Sequence, residues 1–107
     1  MSTHAFDVTR NHLIPQNEAA QLVGAFQRGI RPGEHVSTAF NRSAFENLLN
    51  QEGCAGIRIY RATHQDGTHT LVMVGVDASG ADLAGADNLF AQAGQNCPPV
   101  CAPMTWL

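Results

Sequence analysis

Residues 53–77 read GCAGIRIYRATHQDGTHTLVMVGVD, two runs rich in β-branched and aromatic residues on either side of Asp66-Gly67. That pattern predicts an antiparallel β-hairpin over 57–63 and 69–76. Asp-Gly is a strong signal for a two-residue type I′ turn. Counting outward from such a turn pairs Ile57 with Val76, Ile59 with Val74 and Arg61 with Val72, an aliphatic face for the core. The reverse face then holds Arg58 opposite Gly75, Tyr60 opposite Met73, Ala62 opposite Leu71 and His64 opposite His69. A three-residue loop would flip this parity and carry Leu71 and Met73 to the core side. The second strand is apolar on both faces. It is therefore expected at the centre of a sheet, beside either residues 35–40 or the same strand of a second copy.

Working outward, residues 1–14 show no sustained period and read as an N-terminal arm, with Phe6, Val8, Leu13 and Ile14 available to pin it. Pro15 opens a helix through Arg28, because Ala19, Leu22, Val23 and Phe26 share one helical face, and Gly29 stops it. Ser43 and Glu46 have capping-box spacing at the start of a second helix over 43–52, with Phe45, Leu48 and Leu49 as its buried stripe. Leu83, Ala86, Phe90 and Ala93 keep helical spacing and predict a third, weaker helix over 82–93. Pro98, Pro99 and Pro103 make 95–107 an irregular tail. The expectation is a single α+β domain over 15–94, two or three helices packed on a small antiparallel sheet built around the hairpin, with the tail packed against it.

Composition narrows the function classes. The chain has 107 residues, 44% of them hydrophobic, enough for one modest core. Charged residues make up 14%, against roughly 25% in an average globular protein, and the net charge is -3. So thinly charged a surface favours a homo-oligomer or a protein partner. The basic residues are scattered, which leaves no electrostatic footprint for a phosphate backbone and predicts no nucleic-acid partner. No stretch approaches the roughly 20 apolar residues that span a bilayer, and the first residues lack a basic segment followed by an apolar one. No membrane association is expected, and the cytoplasm is the expected compartment. Three cysteines agree with that, since an odd number would leave an exported chain with one unpaired thiol.

Two sets of side chains are candidates for a site. On the reverse face of the hairpin, Arg58 and Tyr60 can grip an anionic or planar ligand, with His64 and His69 beyond them and Gly75 leaving room. The plain alternative is a helix-covered face with the Arg58 stem lying over glycine. His64 and His69, as cross-strand neighbours, can also hold a transition metal, although zinc takes four ligands. The second set is Cys54, Cys97 and Cys101, which read as buried or tail-docking residues, as zinc or iron ligands, or as a redox pair. Proline keeps residue 97 extended, so a Cys97–Cys101 bridge requires a turn at Pro99-Val100, and a bridge from Cys54 to either is equally open. Asp77, Asp82 and Asp87 have the plainer explanation of turn and helix-start chemistry. The apolar end, Met104 to Leu107, contains the only tryptophan and is expected to dock on its own domain or on a partner. There is no phosphate loop, nucleophile elbow or paired-carboxylate pattern.

The ordered combination of Gly53-Cys54-Ala55-Gly56-Ile57-Arg58-Ile59-Tyr60, Leu71-Val72-Met73-Val74-Gly75-Val76-Asp77 and Cys97-Pro98-Pro99-Val100-Cys101 resembles a group of short, uncharacterised bacterial proteins. The tail beyond Cys101 is longer than in that pattern. The resemblance implies no activity and transfers no functional residue. The expected function is a non-enzymatic binding or self-associating module without a cofactor. The alternative is a small zinc- or iron-binding or thiol-redox protein using the three cysteines, and an enzyme built on Arg58, Tyr60 and a histidine comes third.

Overall fold

A computed structural model describes residues 6–103 and 105–107. In chain order its elements are α1 (Gln16–Arg28), β1 (Ser37–Ala39), α2 (Arg42–Leu49), β2 (Gly56–Thr63), β3 (His69–Val76), β4 (Phe90–Gln92) and β5 (Gln95–Cys97). The strands form two antiparallel sheets, β2-β3-β4 and β1-β5. Two helices with these sheets make the α+β class expected from the sequence. The chain divides into two units: Phe40–Gly94 with residues 6–10, and Asn11–Ala39 with Gln95–Leu107. Residues 1–5 of the arm and Met104 of the tail lie outside the described residues.

The hairpin forms, but its register differs from the two-residue expectation by one. Ile57 faces Gly75, Ile59 faces Met73, Arg61 faces Leu71 and Thr63 faces His69. The cause is local. A type I′ turn needs positive φ at both central residues, yet Gly67 has φ 90° and Asp66 does not enter that region. The loop is instead Gln65-Asp66-Gly67, closed by His64 N–H donating to the Thr68 carbonyl (2.8 Å) and Gly67 N–H to the His64 carbonyl (2.9 Å). Asp66 Oδ1 accepts from both the N–H and the hydroxyl of Thr68, at 3.0 and 2.7 Å. Met73 therefore moves off the Arg58 and Tyr60 face, and Arg58 stands opposite Val74 rather than Gly75.

The central position of β3 holds, and its consecutive residues Met73 and Val74 are 0% and 1% exposed on opposite faces. Burial of a side chain of this size contributes about 1.5–3 kcal/mol. The neighbour across β3 is β4, with Met73 facing Ala91 and Val74 facing Phe90. Neither residues 35–40 nor a second copy is needed there. β4 lies inside the segment expected as a third helix. Side chains explain that failure: Asn88 Oδ1 accepts from Gly85 N–H (2.9 Å), and Gln51 Oε1 accepts from Leu89 N–H (2.8 Å) and Asn88 Nδ2 (3.2 Å). Such bonds compete with helical ones, and Leu83 N–H is taken by the Gly75 carbonyl.

α2 begins one residue earlier than expected because Asn41, not Ser43, is its cap, accepting from Ala44 N–H at 3.1 Å. Only Leu48 of the expected stripe is buried. Phe45 instead meets Phe40 edge-on at 6.4 Å between ring centres. Of the arm, Phe6 packs over Gly56 and Gly80, whereas Val8, Leu13 and Ile14 are exposed.

In the other unit, Pro15 precedes α1 and Gly29 follows it, as expected, but α1 has no buried residue. β1 pairs with β5 through Ser37 to Cys97, and Thr38 Oγ1 donates to Asn96 Oδ1 at 2.6 Å. Residues 95–97, expected to be irregular, are thus a strand. Their backbone bonds are taken up by β1, including Val36 N–H to the Cys97 carbonyl at 2.7 Å.

Gly75 is where α2's C-terminal loop closes on the sheet. A Cβ there would stand 2.9 Å from Cys54 Sγ and 3.1 Å from Gln51 Nε2. Gly75→Ala is expected to destabilise the chain by about 1–3 kcal/mol through overpacking, read as a lower urea midpoint at unchanged slope.

Candidate functional site

Asp77 shapes the turn that completes the site. Its Oδ1 accepts from Ser79 N–H (2.9 Å), Ser79 Oγ (2.6 Å) and Ala81 N–H (3.0 Å), and Gly80 supplies the positive φ of 89°. The chain then runs back along β3, bridging Asp82 to Val76. Facing residues in antiparallel pairs share a side, so Asp82 joins the face carrying Val76, Arg58 and Tyr60. Arg58 Nη1 donates to Asp82 Oδ1, and the Tyr60 hydroxyl donates to Asp82 Oδ2.

These contacts set the protonation states. The Tyr60 hydroxyl, then Arg58, holds the Asp82 carboxyl below the usual carboxylate range. The hydrogen bond to Asp82 raises Tyr60 above the ordinary phenol value and raises Arg58 as well. With both carboxylate oxygens engaged, the trio acts as a clamp that ties β2 across β3 to the segment after it. The Arg58 and Asp82 side chains remain 39% and 25% exposed, so solvent screens the ion pair.

The two-residue register would have set His64 opposite His69. Here His64 is beside Thr68 and His69 faces Thr63, which puts the two imidazoles on opposite faces of the hairpin. The cysteines also separate. Cys97 and Cys101 form a disulfide with a Cα separation of 4.9 Å. Cys54 is a free thiol, its Sγ donating to the Gly56 carbonyl at 3.2 Å, and it does not bridge to the tail. The expected separation of Cys97 and Cys101 presupposed an extended segment. The chain turns back instead, with Val100 N–H donating to the Asn96 carbonyl at 3.0 Å, and both the Cys97-Pro98 and Pro98-Pro99 bonds are cis. Cys97 is buried and Cys101 exposed. Among the described residues, no three His, Cys, Asp or Glu side chains converge as metal ligands.

Asp82 and Gln51 are the residues that sequence reasoning missed. Asp82 read as helix-start chemistry, and the only hint of its position was the turn chemistry of Asp77-Ala78-Ser79-Gly80 just before it. Gln51, which anchors residues 88 and 89, carried no signal.

Fold and site define a small α+β protein with a charged clamp on one sheet face and a short disulfide loop. Comparison with known families, curated proteins and solved structures yields no match. No helix among the described residues is long and apolar enough to cross a membrane.

The clamp makes stability depend on pH. Because the folded-state pKa of Asp82 is depressed, its contribution is complete above the unfolded value of about 3.9 and is lost as pH falls through the folded value. Tyr60 acts at the other end: its raised pKa gives stability that is lost as pH rises beyond about 10. Asp82→Asn is therefore expected to lower the urea midpoint most at neutral pH, with the gap to the unmodified chain closing in acid. A gap that stays constant with pH would show that the carboxylate's charge does not stabilise the fold.

Proposed function

We propose that this chain is a non-enzymatic module that associates with another copy of itself or with a protein partner through apolar surface that a lone chain leaves in water. The observation that carries the reading is α1. Thirteen residues long, it has no buried side chain, and Leu22 and Phe26, one turn apart, are 61% and 55% exposed. Helix formation in proteins draws most of its stability from packing an amphipathic face, and a helix with an unused face is suited to docking. Trp106 and Leu107 add further exposed apolar surface in the same unit. The clamp supports a non-catalytic role, since an ionised carboxylate with both oxygens engaged is poorly placed to move protons.

A second reading has its own observation. In a reducing cytoplasm, the compartment proposed for this chain, disulfides are usually redox-active rather than structural. The Cys97–Cys101 pair has one buried and one exposed cysteine, so an incoming thiolate would meet Cys101 and release Cys97. Zinc or iron ligation belongs to the same reading and requires the reduced pair, because the thiolate is the metal ligand.

Native mass spectrometry of the unreduced protein tests both. Self-association predicts species heavier than one 11.4 kDa chain, and association through α1 predicts that Leu22→Glu with Phe26→Glu lowers the number of chains per species. A chain that stays single at every concentration contradicts self-association. The same spectrum reports the two-proton mass loss of the disulfide and any retained metal.

A further inference from the structure

β2 is the outer strand of its sheet, and of the devices that keep edges apart it has only charge, at Arg58 and Arg61. It runs eight residues without a proline or lysine, and among the described residues no strand pairs with its outer side. A long edge of this kind is a template for another strand. The bonding phase identifies the groups it offers. His64 N–H donates to the Thr68 carbonyl and Ala55 N–H to the Val76 carbonyl, while Leu83 N–H takes the Gly75 carbonyl on the far side of β3. Bonded positions alternate in an antiparallel ladder, so Arg58, Tyr60 and Ala62 turn their backbone groups toward β3. Ile57, Ile59 and Arg61 turn theirs outward. Ile59, the middle one of the three, is 54% exposed.

We propose that β2 pairs antiparallel with β2 of a second copy, about a two-fold axis through Ile59. This rests on the self-associating reading but names a surface other than α1. Charge selects among the registers centred on residues 58–61. Centred on Ile59, the pairing sets Ile59 against the partner's Ile59, Arg61 against the partner's Ile57 and Arg58 against the partner's Tyr60. Arg58 is already balanced by Asp82. Arg61, which forms no ion pair with a described residue, then meets an aliphatic side chain. It lies four residues along the strand, roughly 13 Å, from the partner's Arg61. Centring on Tyr60 would make the two unbalanced Arg61 side chains diagonal neighbours, and centring on Arg58 or Arg61 would set like charges face to face, which is destabilising. The result is a continuous six-stranded sheet across the two copies.

Cysteine cross-linking tests both pairing and register in a Cys54→Ser background that keeps the Cys97–Cys101 disulfide. Mild oxidation is expected to give a covalent dimer of Ile59→Cys. Ile57→Cys and Arg61→Cys should each stay single alone and cross-link when mixed, at least about tenfold more than either does alone, because a disulfide cannot span more than about 7 Å between Cα atoms. Absence of the Ile59→Cys dimer, or equal cross-linking of every variant, would overturn the proposal. Leu22→Glu with Phe26→Glu separates the two surfaces. Cross-linking at Ile59→Cys that survives those substitutions keeps the β2 pairing even if the α1 reading falls. Association lost with them, with no cross-link at Ile59→Cys, overturns the β2 pairing alone.

Discussion

Gly67 enters the left-handed region while Asp66 keeps a negative φ, and the hairpin's side-chain arrangement follows from that asymmetry. With positive φ at Gly67 but not at Asp66, neither a type I′ nor a type II′ turn fits Asp66-Gly67; the loop holds three residues, and every pair along β2 and β3 follows by counting. The Asp66 carboxylate, bound to the N–H and hydroxyl of Thr68, secures the closure. Those two donors hold its pKa below the usual carboxylate range. A one-residue change would send Met73 to the face of Arg58 and Tyr60 and remove it from contact with Cys54's side of the sheet. β3 carries apolar side chains on both faces, so either register buries something. Only one places Gly75, without a side chain, beneath Cys54 and Gln51.

From this register come two surfaces of the sheet unit. One face gathers Arg58 and Tyr60 onto Asp82, where opposite charges pair within the chain. The outer edge of β2 is left with Ile57, Ile59 and Arg61 as its outward-bonding residues. In the other unit, α1 keeps an apolar face in water. The chain has few charges and leaves apolar groups exposed in both units, and on this the proposed association rests.

The hairpin, the helix starts near Pro15 and residue 42, and the central place of β3 were legible because each rests on local periodicity or on a residue with one structural use. The register was not legible: Asp-Gly serves both a two-residue turn and the end of a three-residue loop, and the choice lies in φ of Asp66. β4 was hidden because Leu83, Ala86, Phe90 and Ala93 keep helical spacing while Gln51, distant in sequence, captures the backbone of Leu89. Capping-box spacing pointed to Ser43, whereas Asn41, also a favourable cap residue, takes that place. In the candidate site, Arg58 and Tyr60 were found together as expected. Their partner Asp82 was missed because its approach depends on a turn, and the two histidines parted for the same reason that Met73 changed faces.

The register claim is tested most directly by cross-strand Hα–Hα contacts in solution NMR, which appear at non-hydrogen-bonded pairs, where Cα atoms approach to about 4.5 Å. The structure predicts them between Ile59 and Met73 and between Arg61 and Leu71. Contacts between Tyr60 and Met73 and between Ala62 and Leu71 would contradict it.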